Sequence, residues 1–177
     1  MIKTRKATTE SVTFRLNSNV LDKLSVRADS QKTSLNVLVN QILSSYVEWE
    51  MDAVKAGWVP TQRQVLIKLM DAIDDRTVLD IAEKTAEAIG KDVIMYMHGK
   101  YNLENLLANI RMRAQRSGFN IKEFDDTREL QIVLQHDLGW KWSLFFKHYY
   151  QKILYELQQR TVFDYTENSL VINLIKE

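Results

Sequence analysis

The chain has 177 residues, of which 45% are hydrophobic and 27% charged, and its formal net charge is +1. This composition indicates a globular protein of one or two domains and excludes a chain that is basic throughout. The absence of cysteine excludes disulfides, thiolate metal ligands and cysteine nucleophiles. No apolar run is long enough to span a membrane and no signal-peptide pattern is present, so we expect a cytoplasmic protein without a membrane partner.

Residues 1–10 form a basic segment without apolar periodicity, which predicts a flexible arm. Its cations are Lys3, Arg5 and Lys6, and such an arm can follow DNA phosphates. The alternative is an ordinary solvated terminus. Cations also outnumber anions in the whole stretch before Thr33, as expected for a DNA-facing end of an otherwise neutral protein.

Residues 11–17 alternate strictly between polar and apolar side chains, which predicts a β-strand. Val12, Phe14 and Leu16 share one face, and Ser11, Thr13 and Arg15 share the other. No neighbouring run supplies a hairpin partner, and a lone strand is not stable in water. The simplest partner is the same strand of a second chain, which gives a two-stranded ribbon of a width that fits the DNA major groove. The alternative is the edge of an ordinary sheet.

Two amphipathic helices are predicted next. Asn17 or Ser18 caps the first, and Ser34 caps the second, which we expect to end around Gly57, before Pro60. The apolar face of the second helix is wider than a lone helix needs, and a unit of this size carries too little core to fold alone. We therefore expect an intertwined homodimer over residues 11–58.

The segment from Ser11 to Trp49 resembles the ribbon-helix-helix family of DNA-binding proteins. The match consists of a polar-apolar-polar-apolar-Arg-apolar strand, a cap followed by Val20-Leu21, and the Thr33-Ser34-Leu35-Asn36 start of the second helix. The resemblance implies that Ser11, Thr13 and Arg15 contact base edges. It also implies that the N-terminus of the second helix, with Lys32, Thr33, Ser34 and Asn36, binds a phosphate. Independently of the family, Arg can bond guanine O6 and N7 together, and Ser or Thr can contact either base type.

Residues 61–177 predict an α+β domain for oligomerisation or effector sensing. Helices are expected after a Thr61 capping box and after Thr77, the latter ending at Gly90. A strand over 93–97, a helix capped by Asn102, strands over 119–124 and 128–137, a helix over 141–159, and a hairpin of 162–165 with 170–175 follow. This order favours a ferredoxin-like βαββαβ topology, and the sequence shows no internal repeat.

A ribbon-helix-helix module followed by a βαββαβ domain is similar in architecture to the nickel-responsive repressors of that family. Those regulators use clustered histidines and a cysteine, whereas this chain has three widely separated histidines and no cysteine. We therefore predict no metal site and no cofactor. A shared site of His98, His136 and His148 is the less favoured alternative to ordinary core or surface histidines.

The aromatic helix near the C-terminus offers a candidate ligand pocket. Helical spacing predicts that Trp142, Phe145, Phe146, Tyr149 and Leu157 face the core, while three other aromatic residues fall off this face. The candidate pocket for a small-molecule effector comprises those three and two histidines: Trp140, Tyr150, Tyr155, His136 and His148.

No catalytic motif is present, so we predict that the chain is not an enzyme. The sequence favours a sequence-specific regulator of transcription that binds double-stranded DNA as a homodimer or tetramer, and a repressor rather than an activator. The alternatives are a DNA-binding antitoxin whose C-terminal domain captures a toxin, and a dimeric protein-interaction scaffold.

Overall fold

The computed structural model describes residues 9–176, which divide into two compact units. The first unit is Met1–Glu48 and the second is Trp49–Glu177. The fold is α+β, with helices in both units and one four-stranded antiparallel sheet in the second. Within the described residues, every helix is too short or too polar to cross a lipid bilayer.

The first unit contains two helices, α1 (Ser18–Ser30) and α2 (Leu35–Ser45), both at the predicted places. The Asn17 side chain accepts a hydrogen bond from the Asn19 N–H, and the Ser34 hydroxyl accepts one from the Val37 N–H, so both predicted caps are confirmed. The strand predicted over 11–17 is not formed. These residues run into α1 without a helix or a strand, because one chain offers them no backbone partner.

The helical part of the second unit begins inside a π-helical turn, Tyr46–Glu50, and continues as a series of helices. Their bounds are α3 (Met51–Ala53), α4 (Arg63–Asp71), α5 (Asp75–Thr85), α6 (Lys91–His98) and α7 (Leu103–Arg116). The predicted cap at Asn102 is confirmed, since its side chain accepts a hydrogen bond from the Asn105 N–H at 2.9 Å.

Three local predictions in this part are wrong. The residues predicted as a strand, 93–97, lie in α6, where Ile94 is 2% exposed. Gly90 does not end a helix, because a π-helical turn, Ala86–Gly90, joins α5 to α6 in continuous helical backbone. The Thr61 capping box is also absent: the N-cap of α4 is Gln62, which makes no side-chain cap bond.

The sheet contains two hairpins that flank a long helix. β1 (Asn120–Asp125) pairs with β2 (Glu129–Gln135), α8 (Trp140–Glu156) follows, and β3 (Thr161–Tyr165) pairs with β4 (Ser169–Ile175). The strand order is β1-β2-β4-β3, with every neighbouring pair antiparallel. The predicted ferredoxin-like topology is therefore wrong, because the segment before α7 is helical and supplies no first strand.

The domain contains a structural repeat that we did not predict from the sequence. The unit α7-β1-β2 recurs as α8-β3-β4 at a spacing of 40 residues: Leu130 corresponds to Leu170, and the helices end at Arg116 and Glu156. Gly118 and Gln158, at equivalent positions after these helices, both have left-handed backbone, with φ of 66° and 58°. Ile132 pairs directly with its counterpart Ile172, so the two halves meet about a local two-fold axis through the sheet.

The core of the second unit lies between the helices and one face of the sheet, which we call the inner face. The strand residues Ile132, Leu134, Leu170, Ile172 and Leu174 are all at most 4% exposed. They pack in one cluster with Val78 and Ala82 of α5 and with Phe146, Ile153 and Leu154 of α8. The opposite face, which we call the outer face, therefore carries the alternate residues of each strand.

Candidate nucleic-acid interface

The predicted base-contacting residues lie in an exposed segment. Ser11, Thr13 and Arg15 are all exposed, and Arg15 forms no ion pair within the described part of the chain. Asn17 has extended backbone, with φ −60° and ψ 136°, at the point where the segment enters α1. The arrangement leaves the guanidinium and both hydroxyls free to contact an external ligand.

The apolar residues of the same segment are equally exposed. Val12, Phe14 and Leu16 are 67%, 62% and 48% exposed. Water contact with three large apolar side chains on one face is unfavourable, since moving such a side chain from full exposure to full burial is worth roughly 1.5–3 kcal/mol. A partner that covers this face would remove that cost.

The helices of the first unit also expose much apolar surface. Within residues 9–48, Ala28 and Leu38 are the buried hydrophobic residues. Large apolar side chains that are 39–61% exposed include Val20, Leu21, Val37, Ile42, Leu43, Tyr46 and Val47. Exposed large apolar side chains thus outnumber the buried ones in this unit, which is typical of an interaction surface.

The predicted phosphate-binding residues surround the N-terminus of α2. Lys32 has a left-handed backbone, with φ 53°, and the Thr33 N–H bonds the Ala28 carbonyl across this turn at 3.0 Å. Ser34 caps α2, whose first turn contains no acidic residue. Free N–H groups and the helix dipole favour an anion at such a terminus. Asn36 is exposed, and its side-chain oxygen accepts a 3.2 Å hydrogen bond from Asn40.

The three cations of the predicted basic arm, Lys3, Arg5 and Lys6, lie outside the described residues. The structure therefore places the predicted phosphate-binding residues together at the N-terminus of α2. It places the predicted base-contacting residues, Ser11, Thr13 and Arg15, in the segment before α1.

The predicted effector-pocket residues are scattered in the second unit. Tyr150 is 2% exposed and stacks on Phe146, so the prediction that it lies off the core face of the helix is wrong. Tyr155 is 79% exposed and lines a shallow depression of about 520 Å³ with Glu156, Gln158 and Gln159. Trp140 packs against Tyr165 instead, with ring centroids 5.0 Å apart.

His136 is fully buried, and its side-chain hydrogen bonds stabilise the turn between β2 and α8. Its Nδ1 accepts from the Leu138 N–H at 3.1 Å, so Nε2 carries the proton and donates to the Ser143 hydroxyl at 2.8 Å. That hydroxyl donates to the Glu167 carbonyl, in the turn between β3 and β4. Burial lowers the pKa of His136 to about 4. The chain of bonds is complete without a ligand, which makes this histidine structural.

The other two histidines are half-buried. Burial also lowers the pKa of His148 and that of His98. Among residues 9–176, no group of three or more His, Asp or Glu side chains is placed to hold a metal ion.

Sequence reasoning missed the outer face of the sheet. It is defined by eight alternate residues of the edge and central strands: Lys122, Phe124, Gln131, Val133, Val162, Asp164, Val171 and Asn173. The signal was available, since Leu-x-Ile-x-Leu occurs at 130–134 and again at 170–174. Leu or Ile at every second position of both strands predicts one buried face and one face with a different role.

No protein-family model matches the chain, and no curated protein matches it. The function proposed below is therefore based on the exposed residues, helix termini and charges of the two units.

Proposed function

We propose that the chain is a dimeric, sequence-specific DNA-binding regulator of transcription, acting as a repressor. The observation that carries the proposal is the exposed alternation before α1, in which Val12, Phe14 and Leu16 alternate with Thr13 and Arg15. A second copy of the same segment, paired antiparallel, would bury the apolar residues against the exposed apolar surfaces of α1 and α2. The polar residues would then form one face of a two-stranded ribbon.

That ribbon has the width and the chemistry to enter the major groove. Arg15 supplies two parallel N–H donors that match guanine O6 and N7, and the hydroxyls of Ser11 and Thr13 can contact either base type. Two-fold pairing of the strands presents each of these residues twice. We therefore expect an operator with approximate two-fold symmetry.

Phosphate contacts would orient the ribbon on the duplex. The N-terminus of α2 presents backbone N–H groups beside Lys32, with the Ser34 cap at its start. An anion is stabilised there by the N–H groups and the helix dipole together. The cations of residues 1–10 would add contacts that depend on salt but not on sequence. Binding at a promoter would exclude polymerase sterically.

The proposal is tested by selecting bound duplexes from a random pool and measuring affinity for the selected site. Arg15→Ala should weaken specific binding by about 1–3 kcal/mol and relax the preference at one base position. Arg15→Lys keeps the charge and loses the paired donors, so it should lose specificity while retaining non-specific affinity. Lys23→Ala, which removes an exposed cation from α1, is the matched control and should retain specificity.

The phosphate contacts are tested by salt dependence. Lys32→Ala should weaken binding to all sequences and reduce the slope of log K against log salt by about 1. The proposal is wrong if the purified chain selects no sequence, or if Arg15→Ala and Thr13→Ala leave specific binding intact.

A further inference from the structure

The outer face of the sheet is exposed on its edge strands and partly exposed on its two central strands, and it carries an ordered pattern of side chains. In one row across the four strands lie Lys122, Val133, Val171 and Asp164. In the next row lie Phe124, Gln131, Asn173 and Val162, with the Gln131 side chain donating to that of Asn173 at 2.9 Å. Phe124 and Val162 are 57% and 55% exposed.

The helices of this unit leave the outer face uncovered. The helices with the most contacts to the strands, α7 and α8, lie on the inner face, where Glu123 of β1 pairs with Arg111 of α7. Lys122 and Asp164 are both exposed, and neither forms an ion pair within residues 9–176. They lie on opposite edge strands, about 14 Å apart at the usual strand spacing, so they cannot pair with each other.

We propose that the outer face packs against the same face of a second copy of this chain. Two sheets stack about 10 Å apart with nearly aligned strands. We consider a two-fold axis that lies between the two sheets and runs parallel to the strands. It places β1 of one copy opposite β3 of the other and β2 opposite β4, and each row faces the same row of the second copy. Lys122 then lies opposite Asp164 of the second copy, and the reverse contact occurs at the other edge.

The neighbouring row is complementary in the same arrangement. Phe124 lies opposite Val162 of the second copy, and Gln131 lies opposite its Asn173. Apolar side chains thus meet apolar side chains, and amides meet amides that can exchange hydrogen bonds. A two-fold axis perpendicular to the strands and through this row would place Lys122 opposite Lys122 and Asp164 opposite Asp164. Charge therefore favours the first arrangement over this one.

The size of the face sets how strong this association can be. Four strands of five to seven residues give a face of roughly 19 by 20 Å. This is about 380 Å² per copy, below the size typical of stable specific interfaces, so we expect weak association that must be followed up to high protein concentration. The contact uses the second unit alone and holds whether or not the first unit binds DNA.

The test is charge reversal in the full chain, followed by sedimentation equilibrium. Lys122→Asp and Asp164→Lys each place like charges opposite one another, and each should raise the dissociation constant of one association step at least about tenfold. The double variant Lys122→Asp/Asp164→Lys exchanges the charges and should restore association. Lys100→Asp makes the same change of charge in the loop before α7 and is the matched control.

The outcomes separate this proposal from DNA binding. Unchanged tryptophan fluorescence and melting temperature establish that each variant is folded, and affinity for the selected DNA site is measured in parallel. Loss in both single variants with rescue in the double variant supports the sheet contact, even if no DNA is bound. A chain that stays monomeric, single variants that associate like the parent, or a double variant without rescue would overturn it.

Discussion

Replacing His136 should remove a large part of the pH dependence of folding in the second unit. The buried ring is neutral, because a cationic ring would direct a second N–H at the Leu138 N–H that now donates to Nδ1. Its pKa is about 4 in the folded chain, against an ordinary value of 6.5 for a solvated histidine. Protonation therefore favours the unfolded state. The stabilisation is complete above pH 6.5 and declines as the pH falls from there towards 4.

The shift of pKa sets the magnitude. Between about pH 7.5 and about pH 4.5, linkage gives a loss of roughly 2–3 kcal/mol from His136 alone. His136→Gln lacks the titrating group. It should be less stable than the parent protein at pH 7.5, but between pH 7.5 and pH 4.5 its free energy of unfolding should fall by less than that of the parent, and the difference should be about the loss attributed to His136. Carboxylates with lowered pKa, such as Glu123, are common to both proteins, so they cancel in the comparison.

Urea denaturation followed by tryptophan fluorescence measures this difference. All four tryptophans lie in the second unit, so the signal reports that unit alone. His148→Gln serves as the control, since that ring is half-buried and its removal should change the pH dependence less. Parallel stability curves for the parent and His136→Gln from pH 7.5 to pH 4.5 would refute the assignment of His136 as a buried neutral group.

Two further substitutions test the packing and capping of the helices. Gly90→Ala should destabilise the second unit by about 1 kcal/mol despite the better helix propensity of alanine, because its Cβ would lie 3.0 Å from Cδ1 of the buried Ile153. Combining it with Ile153→Val should cost less than the sum of the two changes in a double-mutant cycle of urea unfolding, and strict additivity would contradict the contact. Asn102→Ala should cost about 1 kcal/mol by removing the cap of α7, whereas Asn102→Asp should retain most of it. Equal losses in thermal melts of the two Asn102 variants would argue against the cap.

Local signals in the sequence predicted much of the second unit. The Asn102 cap, the aromatic helix and both hairpins were predicted because each depends on residues within one element or on one turn. Thr166 and Ser169 illustrate this: the turn they close contains Glu167 and Asn168, residue types that favour turns. Alternation then places Leu170, Ile172 and Leu174 on the buried face.

The helix over 75–98 shows where local signals fail. Gly90 has ordinary helical dihedrals, φ −58° and ψ −48°, and its missing side chain makes room for Ile153 of α8. The glycine is thus required by packing against a residue 63 positions away, which no local pattern reveals. Once the helix continues through the π-helical turn, the apolar run of 93–97 has helical neighbours, and Ile94 enters the core.

The candidate DNA interface could be predicted only in part for a different reason. Alternation identifies which side chains of residues 11–17 share a face, but a strand exists only with a partner that satisfies its backbone. The single chain therefore shows the exposed residues Val12, Phe14 and Leu16 and not the ribbon. Their exposure is the quantity that connects the sequence pattern to the proposed dimer.

The two halves of the sheet suggest why its outer face can recognise itself. On the inner face the halves agree, with Leu130, Ile132 and Leu134 matched by Leu170, Ile172 and Leu174. On the outer face they differ: Lys122 corresponds to Val162, and Phe124 corresponds to Asp164. If the outer face obeyed the same two-fold symmetry, its edge strands would carry equal charges, and each edge would meet its own charge in a face-to-face pair. The difference places a cation on one edge and an anion on the other, which is the condition for the proposed contact between two copies.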